Sequence, residues 1–269
     1  MPHAQVNNTG LYHEIRGSGP PLLLIGGLGC DHRAWALQVG PLSRHFTVIT
    51  YDQRGLGLSS PAPADFTFGV LASDAVELLG ALGHEKASIV GMSMGGAVAQ
   101  RIALDFPGAV ERLVLAATSA HTSDEESATL EELCGILGTE GYRGFAEKLA
   151  EWTFTEEFRE RHAKQVEMTI SVLAENAQRG DVILRQMELL AAYDFRRELP
   201  AVRKPTMAIC GRRDMLAPPH RTMEFTSLLP GCNTCQIDET GHGMAIERAG
   251  EFNSILLRFL GAAGMPERK

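Results

Sequence analysis

The sequence predicts an α/β fold, in which a mostly parallel central sheet is flanked by helices, and two observations lead to it. Short runs of apolar and β-branched residues alternate with stretches of helical periodicity through most of the chain. Some of these runs are apolar throughout, as expected of strands that are covered on both faces. Helices that alternate with buried strands form βαβ units, whose strands lie parallel to one another.

The predicted strands are recognised by different patterns. Residues 11–16 alternate between apolar and polar side chains, whereas residues 21–25 (PLLLI) form a continuous apolar run. Residues 46–52 (FTVITYD) are rich in β-branched and aromatic side chains, which strands favour. The other strands are predicted at residues 87–91, 112–117, 205–211 and 234–238, and helices at residues 71–82 and 94–106.

A helical insertion is predicted between residues 120 and 195, where no strand pattern is found. Apolar residues recur there at three- and four-residue spacing, which is typical of amphipathic helices. Residues 123–126 (SDEE) and 153–156 (TFTE) both fit the capping box that begins a helix. The chain is therefore predicted to divide into a core of residues 1–119 and 196–269 and a helical cap of residues 120–195.

Composition and charge exclude several classes of protein. The chain has 269 residues, of which 44% are hydrophobic and 22% charged, so it can bury a core and is not a disordered or fibrous protein. Its net charge of −8 disfavours nucleic acids and anionic membrane surfaces as partners. No signal peptide is recognised, and five cysteines do not form a secreted disulfide framework. We therefore expect a cytoplasmic protein.

The negative charge is concentrated in the predicted cap. Residues 120–195 hold 16 acidic and 7 basic side chains, whereas the rest of the chain holds 17 and 18. A solvated outer face of amphipathic helices explains such a pattern. If part of this charge faces the entrance of a site, it would repel anionic substrates and favour neutral or cationic ones.

The motif Gly91-Met-Ser93-Met-Gly95 follows a predicted strand and opens a predicted helix. A serine on a sharp strand-to-helix turn has a strained backbone, and glycines flank it because neighbouring chains approach closely. The turn projects the Ser93 hydroxyl above the carboxyl ends of the strands, where ligands bind in α/β sheets. It also aims the Met94 N–H into the same space. Ser93 is therefore predicted to be a nucleophile, and the alternative is an incidental glycine-rich turn.

A serine nucleophile needs a base that is itself held by an acid. Asp214 follows the strand predicted at residues 205–211, and His242 lies in a Gly-His-Gly loop after the last predicted strand. The order Ser93, Asp214, His242 matches the nucleophile, acid and base order of one known architecture. If Asp214 is only a turn residue, Asp238 is the substitute acid.

A loop at residues 26–29 (GGLG) follows the strand predicted at residues 21–25 and is predicted to form an oxyanion hole. The Leu28 N–H would act there together with the Met94 N–H. A phosphate-binding loop is the alternative, but the residues do not fit G-x-G-x-x-G.

Cys232 and Cys235 have C-x-x-C spacing without the second pair that a structural zinc site needs. The sequence therefore predicts neither a cofactor nor a metal.

The residues beside these motifs are candidates for a substrate pocket. Methionines next to the proposed triad would make an adaptable apolar surface, although packing in the core explains them equally. An aromatic residue of the cap would add to that surface. The predicted pocket residues are Gly27, Cys30, His32, Trp152, Met215 and Met244.

At these motifs the chain resembles the α/β-hydrolase superfamily, and the resemblance covers essentially the whole length. The segment YDQRGLGLS at residues 51–59 resembles the superfamily's D-x-R-G-x-G-x-S segment, and GMSMGG resembles its nucleophile elbow. Many members have His-Gly where this chain has Gly26-Gly27. The chain is most similar to small bacterial carboxylesterases and 3-oxoadipate enol-lactonases, and also to aminoacrylate hydrolases of pyrimidine degradation. The resemblance implies an α/β-hydrolase fold with a helical cap.

The motifs together predict a serine hydrolase that cleaves a small carboxylic ester or lactone through an acyl-enzyme on Ser93. Hydrolysis of carbon–carbon bonds in ring-cleavage products, an aminoacrylate-type hydrolysis and a cofactor-free haloperoxidase or perhydrolase activity use the same triad. A ligand receptor on a hydrolase fold is the non-enzymatic alternative, which labelling of Ser93 by a fluorophosphonate would distinguish. The sequence indicates neither the substrate's identity nor the oligomeric state.

Overall fold

One sheet of eight strands runs through the described part of the chain, residues 2–177 and 179–262 of a computed structural model. The strands are β1 (His3–Val6), β2 (Thr9–Arg16), β3 (Pro21–Ile25), β4 (Thr47–Tyr51), β5 (Ala87–Met92), β6 (Val110–Ala116), β7 (Thr206–Gly211) and β8 (Asn233–Ile237). Their order across the sheet is β1-β2-β4-β3-β5-β6-β7-β8. Only the β1–β2 and β2–β4 pairs among these strands are antiparallel, which confirms the predicted mostly parallel sheet.

Helices lie on both faces of the sheet, and four more occur along the chain between the sixth and seventh strands. The described helices are α1 (Ala36–Leu42), α2 (Phe68–Ala81), α3 (Met94–Asp105), α4 (Asp124–Thr153), α5 (Glu156–Arg161), α6 (Ala163–Ala177), α7 (Gly180–Ala192), α8 (Pro219–Thr226), α9 (Met244–Glu247) and α10 (Ala249–Leu260). None of them combines the length and the apolar character needed to cross a membrane.

Strand β3 shows why the continuous apolar run predicted a central strand. Successive side chains of a strand point to opposite faces of the sheet. Leu23 and Ile25 therefore pack into the core beneath α2 and α3, whereas Leu22 and Leu24 pack into a second core with α1 and α10. All four side chains are fully buried, so both faces of the sheet are covered by helices.

The predicted strand boundaries agree with the structure to within about two residues, but one strand was missed. β1 has four residues, two of them exposed, and it pairs only with β2 at the edge of the sheet. Such a short, half-polar segment lacks the apolar run by which the other strands are recognised. It forms a strand because β2 offers it a free edge.

The four helices α4–α7, called the insertion below, lie in sequence between β6 and β7. At its base, Phe195 N–H donates to the Ala120 carbonyl at 2.8 Å. The capping box predicted at Ser123 is present, since its hydroxyl accepts from Glu126 N–H and the Glu126 carboxylate accepts from Ser123 N–H.

The capping box predicted at residues 153–156 is wrong. Thr153 is the last residue of α4, and its hydroxyl donates to the Leu149 carbonyl at 2.7 Å. The residue that caps α5 is Thr155, whose hydroxyl accepts from Phe158 N–H. The sequence TFTE contains two threonines, and the extended conformation needed at a cap occurs at the second of them.

Candidate active site

Ser93 lies at the turn between β5 and α3 in a strained conformation. Its φ of 56° and ψ of −124° are rare for a residue with a side chain. A Cβ atom on Gly91 would lie 2.2 Å from the Gly95 carbonyl oxygen, and one on Gly95 would lie 2.2 Å from the Ile25 carbonyl oxygen. Both glycines are therefore required by the close approach of backbone atoms, and the tight turn they permit presents Ser93 at the end of the sheet.

We expect Gly95→Ala to destabilise the fold. The new methyl group would meet backbone carbonyls of Ile25 and Gly26, which cannot move without shifting the end of β3. Overpacking of this kind costs about 1–3 kcal/mol of the free energy of unfolding. Urea unfolding measures the loss, with Gly80→Ala as the control, because a Cβ on Gly80 in α2 meets no described atom within 4 Å. Equal stability of the two variants would contradict the prediction.

Asp214 and His242 form a buried pair on the loops that follow β7 and β8. His242 Nδ1 lies 2.9 Å from one carboxylate oxygen of Asp214 and 3.0 Å from the other. The N–H groups of Leu216 and Ala217 also donate to this carboxylate, at 2.9 and 2.8 Å. Because Nδ1 faces Asp214, Nε2 is the ring nitrogen that is left for another partner.

The loop of His242 is held by residues on both sides of it. Gly243 N–H donates to the carbonyl of Thr153 in the insertion at 2.8 Å. The Glu247 carboxylate accepts from Gly241 N–H at 3.0 Å and from the Thr155 hydroxyl at 2.7 Å. The insertion therefore fixes the position of the histidine loop as well as packing near it.

Ser93 and His242 line the same cavity, which has a volume of about 510 Å³. The core contributes the loop after β3, and the insertion contributes side chains of α4, α6 and α7. The apolar lining residues include Leu130, Leu133, Leu149, Phe154, Met168, Val172, Leu173, Leu190, Leu216 and Ile246. The cavity is thus predominantly hydrophobic.

The charged side chains that line the cavity are already paired. Arg33 contacts the carboxylate of Asp31 at 2.6 Å and that of Glu175 at 3.0 Å. Glu126 contacts Arg221 at 3.1 Å. Among the described lining residues, no charge is left over to bind a charged ligand.

The loop after β3 lies directly against Ser93. A Cβ atom on Gly27 would be 3.1 Å from the Ser93 Cβ and 3.6 Å from its hydroxyl oxygen. The Leu28 and Met94 N–H groups, one on this loop and one at the first residue of α3, have no hydrogen-bond acceptor among the described residues. Two backbone donors are therefore available beside the serine.

A family model described as alpha/beta hydrolase fold matches residues 20–249. The chain belongs to the α/β-hydrolase family. It is 29% identical over 255 residues to the "Putative carbamate hydrolase RutD" of Yersinia enterocolitica, covering 93% of this chain and 92% of the relative. The enol-lactonase of Burkholderia xenovorans is 30% identical, with a TM-score of 0.90 and coverage of 96% and 99%. A thermophilic esterase of Thermogutta terrifontis is 25% identical, with a TM-score of 0.87 and coverage of 96% and 97%.

These comparisons confirm the predicted resemblance to small bacterial esterases and lactonases and the predicted fold, and they show that the chain is a hydrolase.

Two of the predicted pocket residues, Gly27 and Cys30, line the cavity of this α/β-hydrolase together with Ser93. Burial raises the pKa of the Cys30 thiol to about 12. The thiol is therefore neutral near pH 7 and is a weak nucleophile.

Four predicted pocket residues do not line the cavity, and those predictions are wrong. The side chain of Met215 is directed to solvent and is 70% exposed, whereas Met244 is buried in the core on the α10 face of the sheet. Trp152 is partly buried against the core that includes side chains of α2, α3 and the insertion, and the Lys148 ammonium group lies over its ring. His32 Nδ1 lies 2.7 Å from the Asp52 carboxylate, which fixes the ring outside the cavity.

The segment at residues 51–59 is structural in this hydrolase. Asp52 accepts from His32 N–H and Leu58 N–H, both at 2.7 Å, and Arg54 makes a buried two-point ion pair with Asp74. One side-chain oxygen or nitrogen atom from each of Asp31, His32 and Asp52 lies within 4.8 Å of the other two, a spacing at which these atoms could bind a metal ion. However, the carboxylates of Asp31 and Asp52 already accept hydrogen bonds from protein groups, so the structure explains their positions without a metal.

Neither the second acid candidate nor the cysteine pair joins the site. Asp238 is exposed and pairs with Arg212 at 3.1 Å, whereas Asp214 is the acid that contacts His242. Cys232 and Cys235 are free thiols. Burial raises the pKa of Cys232 to about 11, which disfavours the thiolate that redox or metal chemistry requires.

Proposed function

We propose that this hydrolase cleaves a carboxylic ester or lactone of a small, uncharged and largely apolar molecule through an acyl-enzyme on Ser93. The observation that carries the proposal is that Ser93 and the Asp214-bound His242 line one hydrophobic cavity. The enol-lactonase and esterase among the similar structures support the same class of reaction.

In the proposed reaction, His242 Nε2 removes the proton of the Ser93 hydroxyl as its oxygen attacks the substrate carbonyl carbon. The Leu28 and Met94 N–H groups donate to the oxygen that becomes negative in the tetrahedral intermediate. His242 then gives the proton to the leaving alkoxide, and the acyl group stays on Ser93. Water that is activated by His242 releases the acid and restores the serine. Asp214 keeps the imidazole in the required tautomer and stabilises its charged form.

The experiment that tests this mechanism is capture of the acyl-enzyme. The protein is mixed with 4-nitrophenyl butyrate, quenched in acid within the first turnover and digested for mass spectrometry. We expect a butyryl group on the peptide that contains Ser93, and labelling of the same residue by a fluorophosphonate. An active enzyme whose Ser93 carries neither group would contradict the proposal. A chain that binds the ester without hydrolysing it would favour the receptor alternative.

The cavity predicts a preference for neutral acyl groups. Its lining is apolar and its charged side chains are paired, so an anionic acyl group would be buried without a partner. The negative charge of the insertion adds repulsion. We expect kcat/KM for 4-nitrophenyl butyrate to exceed that for the 4-nitrophenyl monoester of succinate by about 100-fold, which is about 2.7 kcal/mol.

Two further measurements decide this prediction. Added salt should raise the rate for the succinate ester and leave the butyrate rate nearly constant, because salt screens only the charged substrate. A higher kcat/KM for the anionic ester would contradict the prediction and favour an anionic lactone substrate.

Carbamate hydrolysis is a second candidate because several relatives carry that name. A substrate of only a few polar atoms would leave most of a 510 Å³ apolar cavity unfilled. Turnover of free carbamate, compared with turnover of the 4-nitrophenyl esters, separates the two candidates. A ring-cleavage product tests the carbon–carbon alternative, and peroxide in acetate tests the perhydrolase alternative.

A further inference from the structure

Two buried amide side chains of the insertion contact the loop that carries Leu28. Asn176 in α6 and Gln186 in α7 are 3% and 0% exposed. The Gln186 side-chain oxygen accepts from Gly29 N–H at 3.0 Å. The Asn176 side-chain nitrogen donates to the Gly29 carbonyl at 2.9 Å and to the Asp31 carboxylate at 3.0 Å. Both polar groups of Gly29 are therefore bound by side chains about 150 residues away in the sequence.

The sequence of this loop is compatible with more than one type of turn. Residues 27–30 form a turn in which Cys30 N–H donates to the Gly27 carbonyl at 3.1 Å, and its third residue, Gly29, has a φ of 66°. A positive φ at that position is typical of a type II turn. Glycine also adopts the negative φ of a type I turn without steric cost, and that change rotates the Leu28–Gly29 peptide. This peptide carries the Gly29 N–H, whereas the Leu28 N–H belongs to the preceding peptide. Local sequence therefore does not select one state.

The insertion fixes Gly29 through directional hydrogen bonds. Leu173 and Ile183 also approach Gly29, but apolar contact does not distinguish the two orientations of a peptide group. Gln186 accepts only when the Gly29 N–H points toward α7. On the core side, the Gln53 amide donates to the Gly26 carbonyl at 3.1 Å and holds the preceding residue.

The two amides differ in what their hydrogen bonds contribute to stability. The Gln186 side-chain nitrogen is buried and has no acceptor among the described residues, which is destabilising. Burial alone would raise the pKa of Asp31, but hydrogen bonds from Arg33 and Asn176 outweigh it and lower that pKa. Asn176 therefore donates to an ionised carboxylate, and such a bond is strong.

We propose that Asn176 and Gln186 are positioning residues, which anchor both backbone groups of Gly29 and thereby hold the adjacent Leu28 where its N–H can donate to the substrate's carbonyl oxygen. The proposal rests on the proposed function, since it gives a role to the oxyanion donor of that reaction. Its consequence is that docking of α6 and α7 governs the rate of the chemical step and not only the shape of the pocket.

The test replaces each amide with a side chain of similar size that cannot make the bond. We expect Gln186→Met and Asn176→Leu to lower kcat for 4-nitrophenyl butyrate by about 10- to 100-fold, less than complete removal of an oxyanion donor, and to change KM by less than about threefold. Affinity for a trifluoromethyl ketone with the same acyl chain should fall by the same factor as kcat, because its adduct places a charged oxygen at the donors. Affinity for the matching ether, which has no carbonyl, should be unchanged.

Asn253→Leu is the matched control, because Asn253 is also a buried amide and donates to the Leu37 carbonyl between α10 and α1. We expect it to lose stability without a change in kcat or in ketone affinity. Gln186→Glu keeps the acceptor oxygen, and the folded variant should retain kcat within about threefold of wild type although the buried carboxyl group lowers its stability.

The proposal is overturned if the folded Gln186 and Asn176 variants keep both kcat and ketone affinity, or if Asn253→Leu loses them equally. Failure of the proposed function is a separate result, since it is read from the absence of an acyl group on Ser93 in the wild-type protein. Normal acylation of Ser93 together with unaffected amide variants would remove only the positioning role.

Discussion

Replacing Ser93 with alanine is expected to lower kcat for ester hydrolysis by about 10⁵-fold, since the attacking oxygen is lost. The rate that remains above that in water would come from the N–H donors of Leu28 and Met94 and from binding in the cavity. The backbone should be unaffected, because alanine meets the same cost at a φ of 56° as serine does. Steady-state kinetics measure the loss, and circular dichroism checks the fold.

Ser254→Ala is the control for the serine replacement. Ser254 is a half-buried α10 residue whose hydroxyl donates to the Gly250 carbonyl of the same helix. It should retain wild-type kcat and KM. If Ser93→Ala retained more than a hundredth of the wild-type activity, Ser93 would not be the nucleophile.

Replacing Asp214 with asparagine is expected to lower kcat by about 10⁴-fold while the protein stays folded. The asparagine oxygen can still accept from Leu216 and Ala217 N–H, so the loop keeps its anchors. Its NH₂ group, however, would donate to His242 Nδ1. The ring proton would then move to Nε2, which could no longer accept the Ser93 proton.

Asp238→Asn separates the two acid candidates. Asp238 is an exposed partner of Arg212, so its replacement should change kcat by less than about twofold. A comparable loss of kcat in both variants, measured at the same pH, would assign the acid role differently and contradict the geometry.

Local rules explain why the turn at Ser93 and the loops that carry Asp214 and His242 were predictable from the sequence. The glycines around Ser93 are dictated by backbone approaches within a few residues, and such approaches leave a short motif. Asp214 and His242 follow the ends of β7 and β8, and parallel strands bring their carboxyl ends to one edge. Strand periodicity and chain order were therefore enough to place all three residues.

The pocket was not predictable in the same way, because neighbours in the sequence are not neighbours in space. Met215 lies one residue after Asp214 and points to solvent, and Met244 lies two residues after His242 and packs behind the sheet. The side chains that do line the cavity, such as Leu173, belong to helices whose apolar stripe predicts burial but not the surface it faces. Docking of the insertion decides that surface.

Asn176 and Gln186 carried a signal that periodicity alone did not explain. Asn176 follows Leu173 by three residues and Gln186 follows Ile183 by three, so each amide falls within the apolar stripe of its helix. A polar side chain within such a stripe needs a partner that is buried with it. The partner here is a backbone loop about 150 residues away in the sequence, and no sequence pattern identifies it.

The contacts of the insertion set a rule for building chimeric enzymes from this core. The Thr153 carbonyl holds the histidine loop, and the amides of Asn176 and Gln186 hold the turn that carries Leu28. A chimera that takes the whole insertion of a relative would gain new pocket walls and lose these anchors. Recombination designed to change substrate range should therefore exchange the cavity-facing side chains and keep those three anchoring positions.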